Sequence, residues 1–363
     1  RVLGRLQPLD HPAITADHML RLLSSALSPW AGTCHAEHKP ALWATSALPQ
    51  DHDAAVAVPG LGRFRVNVFA QQRGWSSVWR AIATHIPTLE EVAAPASLRD
   101  WVLQPHGLLL VTGATGSGKS STLAALIHHL NATQSLHILT LEDPIETVLP
   151  AVAQSQVKRN VGFDYAVGLR SLMRQDPDVI LVGEIRDRET AETVFQACLT
   201  GHLVISTFHA GSSCEAISRL NDMGIEPYLL RTGLRSVLSL RLIRQLCECA
   251  AWSDEPADLL GFDLSRVRIP VGCPRCTGTG YHGRTLVAEF LRPDQKEIGR
   301  AILSQFSADD LQRTAMATGF NTLGQRARSL VESGVTSPAE VRRVLGFRHD
   351  RDVSATAIVD QGR

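Results

Sequence analysis

No stretch of this 363-residue chain approaches the roughly 18–20 consecutive apolar residues that a membrane-spanning helix needs. No signal peptide is visible in the opening Arg1-Val2-Leu3-Gly4-Arg5-Leu6-Gln7. The first residue is not Met, as expected of a fragment of a longer chain. Neither sign of charge is in excess, since 36 basic residues balance 36 acidic ones, which argues against a broadly basic nucleic-acid surface. Aromatics make up only 5% and form no aromatic-and-basic tract on which bases could stack. Internal repeats and low-complexity tracts are also lacking. What remains is a globular composition, 44% apolar and 20% charged, long enough for two or three domains with buried cores.

Against this background one segment stands out: Gly113-Ala114-Thr115-Gly116-Ser117-Gly118-Lys119-Ser120, a G-x-x-x-x-G-K-S pattern. The apolar run Gly107–Thr112 precedes it, and the helix-like Ser121–Ile127 follows. Strand, glycine loop and helix together are the context of a phosphate-binding loop. Glycines let backbone N–H groups turn inward around a phosphate, and the helix N-terminus adds a favourable dipole. Gly113, Thr115, Gly116, Ser117, Gly118, Lys119, Ser120 and Ser121 are therefore expected to hold a nucleoside triphosphate. Lys119 would reach the β- and γ-phosphates and Ser120 would ligate Mg²⁺.

Upstream, Ala13–Leu27 has an apolar rhythm near the helical period, and Arg63–Phe69 alternates as a half-buried strand would. Ile86–Pro95 reads as a connection. From Leu98 the predicted order is strand Leu108–Thr112, helix Lys119–Asn131, strand Leu136–Leu141, helix Ala166–Arg174, strand Val179–Val182, helix Arg188–Leu199 and strand Leu203–Phe208. This alternation implies a mostly parallel sheet with helices on both faces. Past about Leu246 it stops; a segment rich in cysteine and glycine follows, then short helices over Ser307–Gly346.

In an open parallel sheet, ligands bind beyond the carboxyl ends of the strands. That rule places Glu142, Asp143, Glu184 and His209 on the nucleotide rim, where they suit water-mediated Mg²⁺ coordination and activation of an attacking water. Asp176 and Asp178 precede their strand and read as turn or capping residues. The strand-end position where phosphate-loop enzymes usually carry Asp is Gly183, so the general base is expected at Glu184, or that residue serves in the outer metal shell. His202 precedes its strand and is the weaker histidine candidate. Arg170 and Arg174, four apart, would share a helix face, either solvated or aimed at phosphate oxygens. Arg65 and Arg80 lie outside the core sheet and could reach nucleotide only if the first domain folds over the site, or in a neighbouring subunit.

Taken with Leu141–Glu146, Leu169–Asp178, Val182–Asp187 and Thr200–His209, these segments make the chain resemble the secretion-superfamily ATPases, namely the type II secretion ATPases and the type IV pilus assembly and retraction ATPases. The resemblance covers nearly the whole chain. It implies an α/β fold: a PAS-like N-terminal α/β domain (residues 1–97), a RecA-like core (98–245), a cysteine subdomain (246–290) and a C-terminal helical region (291–363), with nucleotide bound between the two main domains of each subunit in a hexameric ring. It implies an acidic box at Glu142, Asp143 and Glu146, a catalytic Glu184, a histidine box at His202 and His209, and phosphate-approaching arginines at Arg65, Arg80, Arg170 and Arg174. The segment Arg63–Phe69 with Gln72-Arg73-Gly74 looks like the retraction branch, whereas the tail looks like the secretion and pilus-assembly branch.

In that second branch four cysteines ligate Zn²⁺, and they match Cys247, Cys249, Cys273 and Cys276. Such clustering favours metal over disulfides. The pair Cys247-Glu248-Cys249 departs from the family in being C-x-C instead of C-x-x-C, with free thiols in a degenerate loop as the alternative. Cys34, Cys198 and Cys214 read as buried small residues. The expected function is that of a motor, a homohexamer that hydrolyses ATP to drive pseudopilus or pilus assembly and protein export. The motor would be cytoplasmic, peripheral at the inner membrane and docked on a membrane platform protein. Pilus retraction, a nucleotide-gated scaffold with negligible turnover, and a nucleic-acid translocase are the competing readings, the last disfavoured by the charge balance.

Overall fold

The computed structural model describes residues 51–346 except Pro59, Arg73 and Ala96. The helix expected over Ala13–Leu27, and Cys34, lie outside the described residues, as does most of the segment on which a PAS-like domain would rest. Contacts divide the chain into two compact units: one holds the residues up to His85 together with Pro144–Val148, the other Ile86–Asp143 and the residues from Leu149 onward.

The described part of the first unit is an antiparallel meander of β1 (Asp51–Val58), β2 (Gly62–Gln71) and β3 (Gly74–Ile82). The alternation read over Arg63–Phe69 puts Val66 and Val68 on its inner face, where they pack with Ala54 and Val56. Arg65 falls on the other face, directly across from Arg80 in the strand register.

In chain order the second unit contains α1 (Ser97–Trp101), β4 (Gly107–Thr112), α2 (Lys119–Thr133), β5 (Ile138–Glu142), β6 (Ala153–Gln156), α3 (Tyr165–Leu172), β7 (Val179–Val182), α4 (Arg188–Leu199), β8 (Leu203–Phe208), α5 (Ser213–Asp222) and α6 (Pro227–Gly233). It continues with β9 (Leu234–Leu246), β10 (Ala251–Ser253), α7 (Pro256–Leu259), β11 (Val267–Ile269), β12 (Tyr281–Leu291), α8 (Lys296–Leu303), α9 (Ala308–Ala317), α10 (Leu323–Glu332) and α11 (Pro338–Leu345). Seven strands form one sheet in the order β12-β9-β4-β8-β7-β5-β6, parallel throughout except that β12 runs antiparallel to β9.

The parallel strands are nearly continuous apolar runs because helices cover both of their faces. β4, β7 and β8 are buried at every position. On one face Leu169, Val194, Phe195, Ile217 and Leu220 pack on the sheet; on the other, Leu98, Trp101, Leu123, Leu126, Ile127 and Leu130 do. A third core of Ile243, Phe262, Val267, Leu323, Ala327 and Val341 ties the C-terminal helices to the β9–β12 edge. No helix among the described residues is long and apolar enough to cross a membrane.

The expected alternation is present, with β7, α4 and β8 at their predicted bounds. Beyond a residue or two at the ends of β4 and α2, two elements differ. The strand expected over Leu136–Leu141 is shifted to Ile138–Glu142, so Glu142 is its last residue. The helix expected to run to Arg174 ends at Leu172, because Asp176 takes a left-handed turn (φ 54°) ahead of Pro177, which cannot continue a helix. Asp178 fits its turn role: its carboxylate accepts the His137 N–H at 2.7 Å at the amino end of β5. After Leu246 the sheet is not finished, since the chain returns through the cysteine segment to add β12 beside β9.

Candidate nucleotide-binding site

The glycine loop leaves the carboxyl end of the central strand β4 and enters α2. Gly113 (φ 147°), Gly116 (φ 78°) and Gly118 (φ 98°) all take positive φ, where a side chain would strain the backbone. At Gly113 space is also short: a Cβ would lie 2.6 Å from the Leu240 carbonyl oxygen and 2.6 Å from Ser117 Oγ. Helices α3, α4, α5, α9, α10 and α11 each begin with an Asp, Ser or Thr side chain accepting a first-turn N–H. α2 begins with Gly118, has no side-chain cap and carries no acid in its first turn, which leaves its amides and positive dipole end to an anion. Ser117 Oγ is buried and has no partner among the described residues. Lys119 Nζ donates to the carbonyls of Gly113 (2.7 Å) and Ala114 (3.1 Å), folded onto its own loop. Burial holds this ammonium below the usual lysine range, Glu184 opposes that shift and Arg241 adds to it. A partly desolvated cation, a bare helix N-terminus and an unpaired buried hydroxyl fit a phosphate.

The carboxyl rim gathers the expected polar groups. Glu142 Oε1 accepts from Thr140 Oγ1 (2.7 Å) and from Gln154 Nε2 (2.9 Å) on β6. Asp143 faces Arg159 at 3.7 Å. Glu184, mostly buried, pairs through Oε1 with Arg186, while its Oε2 lies 3.6 Å from His209 Nε2. The Gly183 turn that carries Glu184 is pinned from both sides: its N–H donates to Leu141 O (2.8 Å) and its carbonyl accepts from Thr207 Oγ1 (2.6 Å).

His202 is not on this rim. At the amino end of β8, its Nδ1 lies 3.1 Å from both Thr200 Oγ1 and Ala197 O, where it closes the end of α4. Arg170 pairs with Glu189 at 3.2 Å, and Arg174, past the helix end, donates back to the Arg170 carbonyl at 2.9 Å, so the two stay together without sharing a helix. In the first unit Arg65 pairs with Asp53 (2.6 Å) and with Glu146 (2.8 Å), which keep its guanidinium firmly charged.

Two cations here had no sequence signal of their own. Arg241 on β9 donates to the carbonyls of Leu240 (2.8 Å) and Gly211 (2.7 Å), linking the base of the glycine loop to the turn after β8. Arg219 on α5 lies over the Phe208 ring at 5.5 Å and donates to the His209 carbonyl. The role of Arg241 depends on which strands become neighbours, and that of Arg219 on how α5 packs back against the end of β8, neither of which a local pattern reports.

The four cysteines converge although one pair is C-x-C. Their Sγ atoms lie within 4.8 Å of one another. Cys247–Cys273, Cys249–Cys276 and Cys273–Cys276 are 3.8, 3.9 and 3.7 Å apart. A tetrahedron of about 2.3 Å Zn–S bonds has edges of about 3.8 Å, so the set fits that ion. The N–H groups of Cys273 and Gly280 donate to Cys276 Sγ at 3.1 and 3.2 Å. Burial pushes this thiol up, but those donors, together with the Cys273 and Cys249 thiols, outweigh it and bring it down to about 6. Cys198 and Cys214 are the buried small residues expected, with burial pushing both thiols up.

The family model described as Type II/IV secretion system protein matches residues 37–343. The type II secretion system protein HxcR of Pseudomonas aeruginosa is 40% identical over 309 residues, covering 83% of this chain and 63% of its own length. The type IV pilus assembly ATPase PilB of Thermus thermophilus is 37% identical over 318 residues, covering 82% of this chain and 35% of its own length. Among solved structures, that of the pilus retraction motor PilT with bound ADP superposes with a TM-score of 0.70 at 29% identity, over 92% of this chain and 85% of that one. The chain thus spans less than two thirds of the length of the secretion relatives it matches.

Proposed function

The chain belongs to the Type II/IV secretion system protein family, and on that premise we propose that it is a Mg²⁺-dependent P-loop ATPase acting as a homohexameric motor for type II secretion pseudopilus or type IV pilus assembly. The observation that carries this reading is the convergence of Lys119, Glu142, Asp143, Glu184 and His209 on one rim of the sheet, beside an uncapped α2. Glu184 would take the proton of the attacking water, with His209 beside it. Mg²⁺, held by Ser120 and through water by Glu142 and Asp143, would neutralise charge on the β- and γ-phosphates. Arg170 and Arg174, with Arg65 and Arg80, are proposed as cations for the transferring phosphoryl group. Zn²⁺ held by Cys247, Cys249, Cys273 and Cys276 would be structural, because four protein thiolates leave no open position. In this reading the protein is cytoplasmic, peripheral at the inner membrane and docked on a platform protein of its system.

Phosphate release from the purified protein with ATP and Mg²⁺ tests this, with EDTA and Glu184→Gln as controls. Turnover that rises on oligomerisation, disappears with EDTA and falls about 10²–10⁴-fold in Glu184→Gln is expected. Turnover unchanged by Glu184→Gln would remove the assignment of the base. One observation favours a second reading, the nucleotide-gated scaffold: Glu184 is tied to Arg186 in this structure. ATP binding with no phosphate release from assembled rings would select it.

A further inference from the structure

Gly183 stands where phosphate-loop enzymes usually carry a strand-end acid, and the structure shows what takes the space. A Cβ at Gly183 would meet Tyr165 Oη at 2.8 Å, Leu141 O at 3.3 Å and Glu142 Cα at 3.4 Å. No side chain fits there while the phenol is present. Tyr165 is only 3% exposed and opens α3 immediately after the Asp164 cap, with its ring packed in the core beside Leu141 and Val182. Its position is set by the fold, and it brings one oxygen to the rim between the ends of β5 and β7.

That oxygen has no hydrogen-bond partner among the described residues. The charged groups around it are the carboxylates of Glu184, Asp143 and Glu142, opposed by the Arg186 guanidinium. Burial, and then those carboxylates, hold the phenol above its usual range, so it stays protonated and can donate. A fixed neutral donor among acids orients them without cancelling their charge, which suits a carboxylate that must accept a proton.

We propose that Tyr165 is a positioning residue for Glu184, its hydroxyl, seated where a Gly183 side chain would stand, donating to a water shared with the Glu184 carboxylate. The inference rests on the ATPase reading above. It accounts for Gly183, since the Tyr165 hydroxyl leaves no room for a side chain there.

The test is steady-state ATP hydrolysis by the full chain carrying Tyr165→Phe, alone and combined with Glu184→Gln. Phe keeps the ring and its packing, so thermal stability and Mg-ADP affinity are expected to match wild type. The expected result is a roughly tenfold fall in kcat with KM for ATP within about twofold, as for loss of one hydrogen bond to a charged group. In the Glu184→Gln background, Tyr165→Phe should have no further effect, because it acts through that carboxylate. Wild-type turnover with Tyr165→Phe unaltered overturns this inference alone. A full additional loss in the Glu184→Gln background overturns it too, since the hydroxyl would then act elsewhere. Absence of turnover in wild type overturns the ATPase reading, and this inference with it.

Discussion

His209 Nε2 lies 3.6 Å from Glu184 Oε2 because each residue sits just past the carboxyl end of one of two paired strands. β7 and β8 are parallel neighbours with Val182 across from Ser206, so the turns that follow them must meet. In the proposed chemistry the carboxylate accepts the proton and the imidazole steadies it. Glu184→Gln is expected to lower turnover about 10²–10⁴-fold. His209→Ala should lower it about tenfold, the scale of one hydrogen bond to a charged group. Neither change should alter the KM for ATP much. Phosphate-release assays on both variants check this, and a larger loss in His209→Ala than in Glu184→Gln would reverse the roles.

The glycines of the loop differ in what they tolerate, and the difference is measurable. Around Gly116 there is open space, so Gly116→Ala pays only for its positive φ, about 1 kcal/mol. Gly113→Ala combines positive φ with a 2.6 Å clash against the Leu240 backbone and should cost more, about 3 kcal/mol, and displace the loop. Titration with a fluorescent ADP should show near-normal binding for Gly116→Ala and strongly weakened binding for Gly113→Ala. Lys119→Ala should bind MgATP about 10–100-fold more weakly without unfolding. Denaturant melts give the stability order, and equal costs at the two glycines would contradict the close approach.

Legibility followed locality. The glycine loop, the rim acids and the bounds of β7, α4 and β8 were readable because each depends on an apolar run and the polar residue that ends it. β9 was not, since Ser236, Ser239, Arg241 and Arg244 interrupt its apolar pattern. β12 begins Tyr281-His282-Gly283-Arg284, which reads as loop, and its pairing of Tyr281 with Leu246 spans the whole cysteine segment. Arg241 went unnoticed with β9: it reaches the loop only because Ser239 pairs with Thr112. Tyr165, one residue ahead of the helix expected from Ala166, carried no signal of its own, because its hydroxyl meets Gly183 from another element. His202 shows the converse, a residue in the right motif at the wrong end of its strand.

The C-terminal helices are anchored through Glu340, which is fully buried and accepts from the Arg244 N–H (2.9 Å), the Arg244 guanidinium (2.6 Å) and Arg343 (2.6 Å). Burial pushes this carboxyl up, but the arginine hydrogen bonds outweigh it and hold it below the usual range. A depressed carboxyl contributes stability above its unfolded value, near 4.3, and loses it as pH falls through the lower folded value. Glu340→Gln should therefore be less stable at pH 7, by about 2 kcal/mol after allowing for the part-exposed arginines, and melt at a lower temperature. The gap from wild type should narrow below about pH 4. Calorimetry across pH decides, and a constant gap down to acid would mean that Glu340 does not titrate with folding.

The cysteine cluster makes the sharpest demand on composition. Sγ–Sγ separations of 3.7–3.9 Å are the edges of a zinc tetrahedron and are too long for disulfides, whose S–S bond is about 2.05 Å. The short Cys247–Cys249 spacing still closes the cluster, since all four Sγ atoms lie within 4.8 Å of one another. The purified protein should carry about one zinc per chain, and Cys273→Ser or Cys249→Ser should each lower that content sharply. Chelation should release the metal, expose four reactive thiols and lower the melting temperature without abolishing nucleotide binding at the glycine loop. Elemental analysis beside thiol titration separates the outcomes. Near-zero zinc in wild type, equal to that in Cys273→Ser, would leave four free thiols and end the metal assignment.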